Sequence, residues 1–166
     1  MNWETIAAVS EAVGAIAVVV SLIYLAVQIR QNTKAIRGTT IDAITAHQQE
    51  ELRWSSEMPE VFRKALEEPE ALTYEESWRL SEWMTSAFTA RQNEYHQYRE
   101  GLLDEEVWLS IENIIRLLMG LPYTQTWWND HGSKNLTPSF VAKVDSILAE
   151  GERYAKDELK SVLPGQ

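Results

Sequence analysis

The sequence contains no cysteine. That removes disulfides, thiolate metal sites and a thiol nucleophile, and it suits a domain that faces a reducing compartment. Proline and glycine are few, five and seven in 166 residues, and no segment alternates apolar and polar residues with the period of a strand. No sheet is predicted. Basic side chains are outnumbered, 15 against 25 acidic, for a net charge of −10. Such a chain lacks the phosphate-neutralising surface on which nucleic-acid binding is built, so nucleic acid is not expected as a partner. The glycine-rich and serine-centred phrases of common enzymes, GxSxG, the P-loop and the dinucleotide fingerprint, are missing too. Neither an enzymatic activity nor a cofactor is predicted.

What the chain has is a long apolar run. From Ile6 to Val27, IAAVSEAVGAIAVVVSLIYLAV, only Ser10, Glu11, Gly14 and Ser21 interrupt it. At 1.5 Å per helical residue this stretch reaches roughly 33 Å, close to the ~30 Å of a bilayer's hydrocarbon core. It reads as a single transmembrane helix. A cleaved signal peptide fits less well, because Glu4 stands where a basic leader belongs and no small-x-small cleavage site follows. A buried core helix of a soluble protein is the other competitor, and helices apolar on every side are uncommon outside membranes. The flanks set an orientation. Arg30, Lys34 and Arg37 follow the run and Glu4 precedes it, so the positive-inside rule places the N-terminus outside and the rest in the cytoplasm, with Trp3 and Tyr24 as interface anchors.

Composition divides the chain. Residues 1–37 form the span and its basic flank, whereas residues 38–166 hold 23 acidic and 12 basic side chains, a net charge of −11. Helical patterning continues past the span as a stalk over 38–58, ended by Met58-Pro59. Residues 59–166 then read as one small cytoplasmic helical domain. Its signals are a short helix over 60–67, a capping box at Thr73 and Glu76 that opens a helix over 74–99, and Gly101 as its stop. Asp104 caps a helix whose apolar stripe is Val107, Trp108, Ile111, Ile114, Ile115 and Leu118. A short helix carries Trp127 and Trp128, and Thr137-Pro138 opens a last one that buries Phe140, Val141, Val144, Ile147 and Leu148. The predicted class is all-α.

The opening NWETIAAVSEAVGAIAVVVSLIYLAVQIRQNTKAIR, the middle NEYHQYREGLLDEEVW, and the later WW followed by TPSFVAKVDSIL resemble a widespread group of small bacterial proteins of unknown function. Its members share an N-terminal span ending in a LIYLAVQIRQNT-like phrase. The resemblance covers most of the chain. It implies bacterial origin and one membrane-anchored helical domain, and it transfers no functional residues; the membrane expected is then the bacterial inner membrane.

Site candidates fall into three sets. Ser10, Gly14, Ala17, Ser21, Tyr24 and Gln28 recur at steps of four and three along one side of the span, a seam of mostly small or polar residues suited to helix association in lipid. Glu11 borders this seam, either at the headgroup rim or inside an oligomer. Trp83, Arg91, Tyr95, Trp108, Trp127 and Trp128 are candidates for a pocket, although large aromatics also fill the cores of small helical domains. Arg91 needs a partner, for which Glu94, Glu112 or a bound anion qualify. His47 with Glu50 and Glu51, and His96 with Glu100, pair imidazole and carboxylate at helical spacing, but the Glu-x-x-His pairs of a di-iron bundle are absent and no metal is predicted.

The function these features suggest is a membrane-tethered, homo-oligomeric structural or interaction protein. Its partners would be the bilayer, further copies of itself, and another protein bound through the acidic domain. The alternative is an oligomeric cation-conducting pore with Glu11 near its axis.

Overall fold

The computed structural model describes residues 2–162, with side chains described for 2–4 and 6–150. Every regular element in it is helical. Six α-helices follow in order: α1 (Trp3–Glu57), α2 (Pro59–Glu67), α3 (Tyr74–Arg99), α4 (Glu105–Met119), α5 (Pro122–Asp130) and α6 (Pro138–Val162), with single 3-10 turns at Pro69–Ala71 and Gly132–Lys134. The chain divides into two compact units, Met1–Asp42 and Ala43–Gln166. The break therefore falls inside the segment that reads as a stalk, and residues 43–57 of α1 belong to the second unit.

The first unit is helix alone. It is long and apolar enough to cross a membrane, and none of its apolar window is buried. Ser21 returns its hydroxyl to the Ala17 carbonyl at 2.8 Å and the Gln28 amide donates to the Tyr24 hydroxyl at 2.9 Å, so part of the polar seam is satisfied within the helix itself. Ile16 and Ile23 are as exposed as Tyr24, and Val19 nearly so.

The second unit owes its boundaries to local chemistry. Pro59 sits in the first turn of α2, where its missing N–H costs nothing. Thr73 accepts from the Glu76 amide at 3.2 Å while the Glu76 carboxylate takes the Thr73 amide at 2.8 Å, completing the capping box. That carboxylate also receives Lys64 of α2 at 2.8 Å, and this bond, ahead of the Thr73 amide, holds its pKa down at about 2. Gly101, at φ +72°, closes α3: its amide bonds the Tyr98 carbonyl and the Leu102 amide bonds that of Gln97, the two bonds of a Schellman stop. Asp104 caps α4 through the Val107 amide at 3.0 Å. Pro138 opens α6 as the sequence predicts, but the buried Thr137 hydroxyl has no hydrogen-bond partner among the described residues. It is the Thr137 amide that is tied, to Gln92 Oε1 of α3 at 2.6 Å.

Residues at three- and four-residue steps then form the core. Leu80, Met84, Ala87 and Phe88 of α3 join Trp108, Ile111, Ile115 and Leu118 of α4, Phe140, Val144 and Ile147 of α6 and Ala65 of α2 in one buried cluster, with Ile44 from α1 and Val61 from α2 at the margin. Ile114, Val141 and Leu148 are only half-buried against that core. Trp127 and Trp128 of α5 tilt against Phe88 at 5.4 and 5.1 Å, and the Trp127 indole donates to Ser81 Oγ at 3.0 Å. The backbone of Gly132 lies flat on that same indole. A Cβ there would stand 2.4 Å from Trp127 Cζ3, whereas at Gly38 it would meet nothing within 4 Å.

Because Trp127 is fixed by Phe88 and Ser81, it has nowhere to retreat. Gly132→Ala should destabilise the fold by about 1–3 kcal/mol through overpacking, while Gly38→Ala should be neutral or stabilising by up to about 1 kcal/mol. Thermal melts of the full chain in a mild non-ionic detergent check the pair; equal melting temperatures for Gly132→Ala and the parent would contradict the packing described.

Candidate functional site

Ionisable groups are the least expected occupants of a helical core, and this one holds a chain of them. Arg91 of α3 has no exposed surface. Its Nε lies 2.8 Å from Glu94 Oε2, one turn along the same helix, and its Nη2 lies 3.3 Å from Glu51 Oε2 of α1. Glu51 in turn stands 3.2 Å from His47 Nε2. The Arg91–Glu94 contact is close but not aligned as a hydrogen bond, and Arg91 Nη1 has no acceptor among the described residues. Burial dominates the protonation of both acids. It pushes Glu94 up to about 7, opposed by the Arg91 charge and reinforced by that of Glu51. It also raises Glu51, where Arg91 and His47 pull the other way.

A second ionic set sits between α4 and α6. Trp108 donates its indole N–H to Glu112 Oε1 at 2.6 Å, and Lys143 and Arg116 converge on the same carboxylate. Glu112 is therefore engaged there and is not the partner of Arg91. Tyr98 stacks on Trp108 at 5.3 Å and 14°, and Tyr95 bridges Trp108 and Phe140.

The six residues grouped by sequence as a candidate pocket are thus distributed over four places. Arg91 joins the buried ion chain, Tyr95 and Trp108 the aromatic stack beside Glu112, and Trp127 and Trp128 the packing around Phe88. Trp83 alone among them lines a described cavity. That cavity, of about 550 Å³, opens between the C-terminal end of α1 and the first half of α3. His47, Glu50, Glu51, Trp54 and Glu57 line one side, and Trp78, Arg79, Glu82, Trp83 and Ser86 the other, with Met58 at the end. Trp83 and Phe62 pack as a T-shaped pair at 4.9 Å, and the buried Trp83 indole N–H reaches no acceptor among the described residues. Trp54 and Trp78 are more than half exposed. A second cavity of about 770 Å³ includes His47, Glu94, His96 and Gln97 in its wall.

Trp54 and Glu82 are wall residues that the sequence reading passes over. A signal exists: 47, 50, 51, 54 and 57 on α1, and 78, 79, 82, 83 and 86 on α3, recur at three- and four-residue spacings along one helix face. Among the described residues, no group of three or more His, Asp or Glu side chains is arranged to hold a metal ion. No family model matches the chain, and neither curated proteins nor solved structures give a match to it.

The raised acid has a sign that can be measured. Glu94 titrates near 4.5 when unfolded and about 7 when folded, so its protonated form favours the fold. That contribution is present below about pH 4.5 and is lost as pH rises through 7, amounting to about 3 kcal/mol at most. Glu94→Gln should therefore flatten the decline in melting temperature between pH 5 and 8, and should melt above the parent at pH 8. A lower melting temperature at pH 8 would mean that the Arg91 pairing outweighs burial.

Proposed function

We propose that this chain is a membrane-tethered interaction protein, with its N-terminal helix in a bacterial inner membrane and its acidic helical domain in the cytoplasm. One observation carries the reading. The first unit presents Val13, Ile16, Val18, Val19, Val20, Leu22, Ile23 and Leu25 to its surroundings on every side, each more than half exposed. Water does not tolerate a contiguous apolar surface of that kind, and a bilayer covers all sides of a helix at once. The exposed Arg30 and Lys34, together with Arg37, support cytoplasmic placement of the residues that follow.

Self-association belongs to the same proposal. Gly14 meets nothing in its own chain, since an added Cβ would have no neighbour within 4 Å. Glycine in mid-helix costs about 1 kcal/mol relative to alanine, a cost that close approach of a second helix would offset. Small residues at the seam favour such contact over a water-filled axis, so the scaffold is preferred to the pore.

Two experiments test this reading. After a carbonate wash the full chain should remain with the membranes, and a reporter fused to the C-terminus should be active only in the cytoplasm. Release into the supernatant would refute the anchor, and periplasmic activity would invert the orientation. For the seam, Gly14→Leu should lower cross-linked oligomer in mild detergent while Val19→Leu should leave it unchanged. Equal cross-linking of both variants and the parent would remove the oligomer from the proposal.

A further inference from the structure

The cavity between α1 and α3 combines two properties that seldom coincide by packing alone. Its walls hold three indoles, Trp54, Trp78 and Trp83, and its charge is one-sided. Glu50, Glu51, Glu57 and Glu82 line it against a single permanent cation, Arg79, whose guanidinium is already held by Glu75 at 2.8 Å. Glu50 shares Arg53 with Glu57, and Glu51 faces Arg91 and His47. Glu82 alone of the four has no ion pair among the described residues. At about 550 Å³ the cavity has the capacity of a small-molecule site.

Each property selects the same ligand chemistry. The face of an indole carries negative electrostatic potential and attracts a cation that sheds its water readily, which an alkylated ammonium does and a simple ammonium does not. Two of the three indoles are left largely exposed at the cavity, an arrangement that an apolar cation would cover. The carboxylates, Glu82 foremost, repel anions and supply the counter-charge. The buried N–H of Trp83, without an acceptor among the described residues, suits a ligand that carries an oxygen as well.

We propose that this cavity binds an alkylated ammonium group, of the kind carried by choline and related quaternary amines, between Trp54, Trp78 and Trp83 with Glu82 as counter-ion. The site lies wholly within residues 47–86, so it stands or falls independently of the membrane anchor. It differs from a metal site in that the cation is recognised by ring faces and shape, not by coordination.

The test is calorimetric titration of the full chain in maltoside micelles with choline and with 3,3-dimethyl-1-butanol, its neutral isostere. Choline should bind and the isostere should bind at least about tenfold more weakly. Trp54→Ala should weaken choline about three- to tenfold, the range expected for one ring, and Trp54→Phe should recover most of that loss. Glu82→Gln should act in the same direction, and Trp3→Ala, outside the cavity, should change nothing. Near-UV circular dichroism identifies the folded variants, and Trp54→Phe keeps the test open should Trp54→Ala fail to fold. Repeating the titration in nanodiscs separates two sources of the group. Loss of choline binding only with phosphatidylcholine discs identifies a lipid headgroup as the occupant, and retention in both phosphatidylcholine and glycolipid discs identifies a free amine. Equal affinity for choline and its isostere, or no binding of choline, would overturn the proposal.

Discussion

A guanidinium cannot shed its charge inside a protein, and the second unit is arranged around that fact. Arg91 is fully enclosed, and taking such an ion out of water costs several kcal/mol unless its partners are well placed. One partner, Glu94, comes with the helix at a spacing of three residues. The other, Glu51, lies 40 residues earlier in the sequence, so satisfying Arg91 requires residues 43–57 of α1 to lie against α3. Two acids around one base leave an excess of negative charge. The structure answers it by raising Glu94 and by placing His47 beside Glu51. Removing Glu51 would leave the cation enclosed with one misaligned partner, which is costlier than never having buried it.

The same constraint explains what sequence could and could not reveal. Helix boundaries were legible because their causes are local: the Thr73–Glu76 box, Asp104, Gly101 and the prolines at 59 and 138 act within three or four residues. The apolar stripes were legible for the same reason, although periodicity does not separate Ile115, fully enclosed, from Ile114, half so. The place of residues 43–57 was not legible. His47, Glu50, Glu51 and Arg53 look like a solvated helix face, and nothing near them announces that Glu51 belongs to a buried cation on another helix. The candidate pocket shows the same limit. Grouping aromatics by type gathered Trp108, Trp127 and Trp128, which pack the core, and missed Trp54 and Glu82, which line a cavity with Trp83.

The proposed anchor and the proposed cation site draw on opposite features of the chain. In the first unit apolar side chains are exposed on every side of the helix, and a solvent other than water would resolve the conflict. In the second unit apolar side chains are sorted inward, and what departs from the pattern is a small set of indoles gathered at an acidic cavity. A lipid with a quaternary headgroup would answer both at once, whereas a soluble amine would answer only the second.

The tryptophans have an optical consequence. Trp108, Trp127 and Trp128 are at most 6% exposed, whereas Trp54 and Trp78, in the second unit, are at least 51% exposed. Emission from the chain is therefore a mixture of a blue-shifted population shielded from collision and a red-shifted one open to aqueous quenchers. Iodide would be repelled by the acidic surface and caesium drawn to it, so the ratio of quenching by the two ions reads the sign of the electric field around Trp54 and Trp78, without any label.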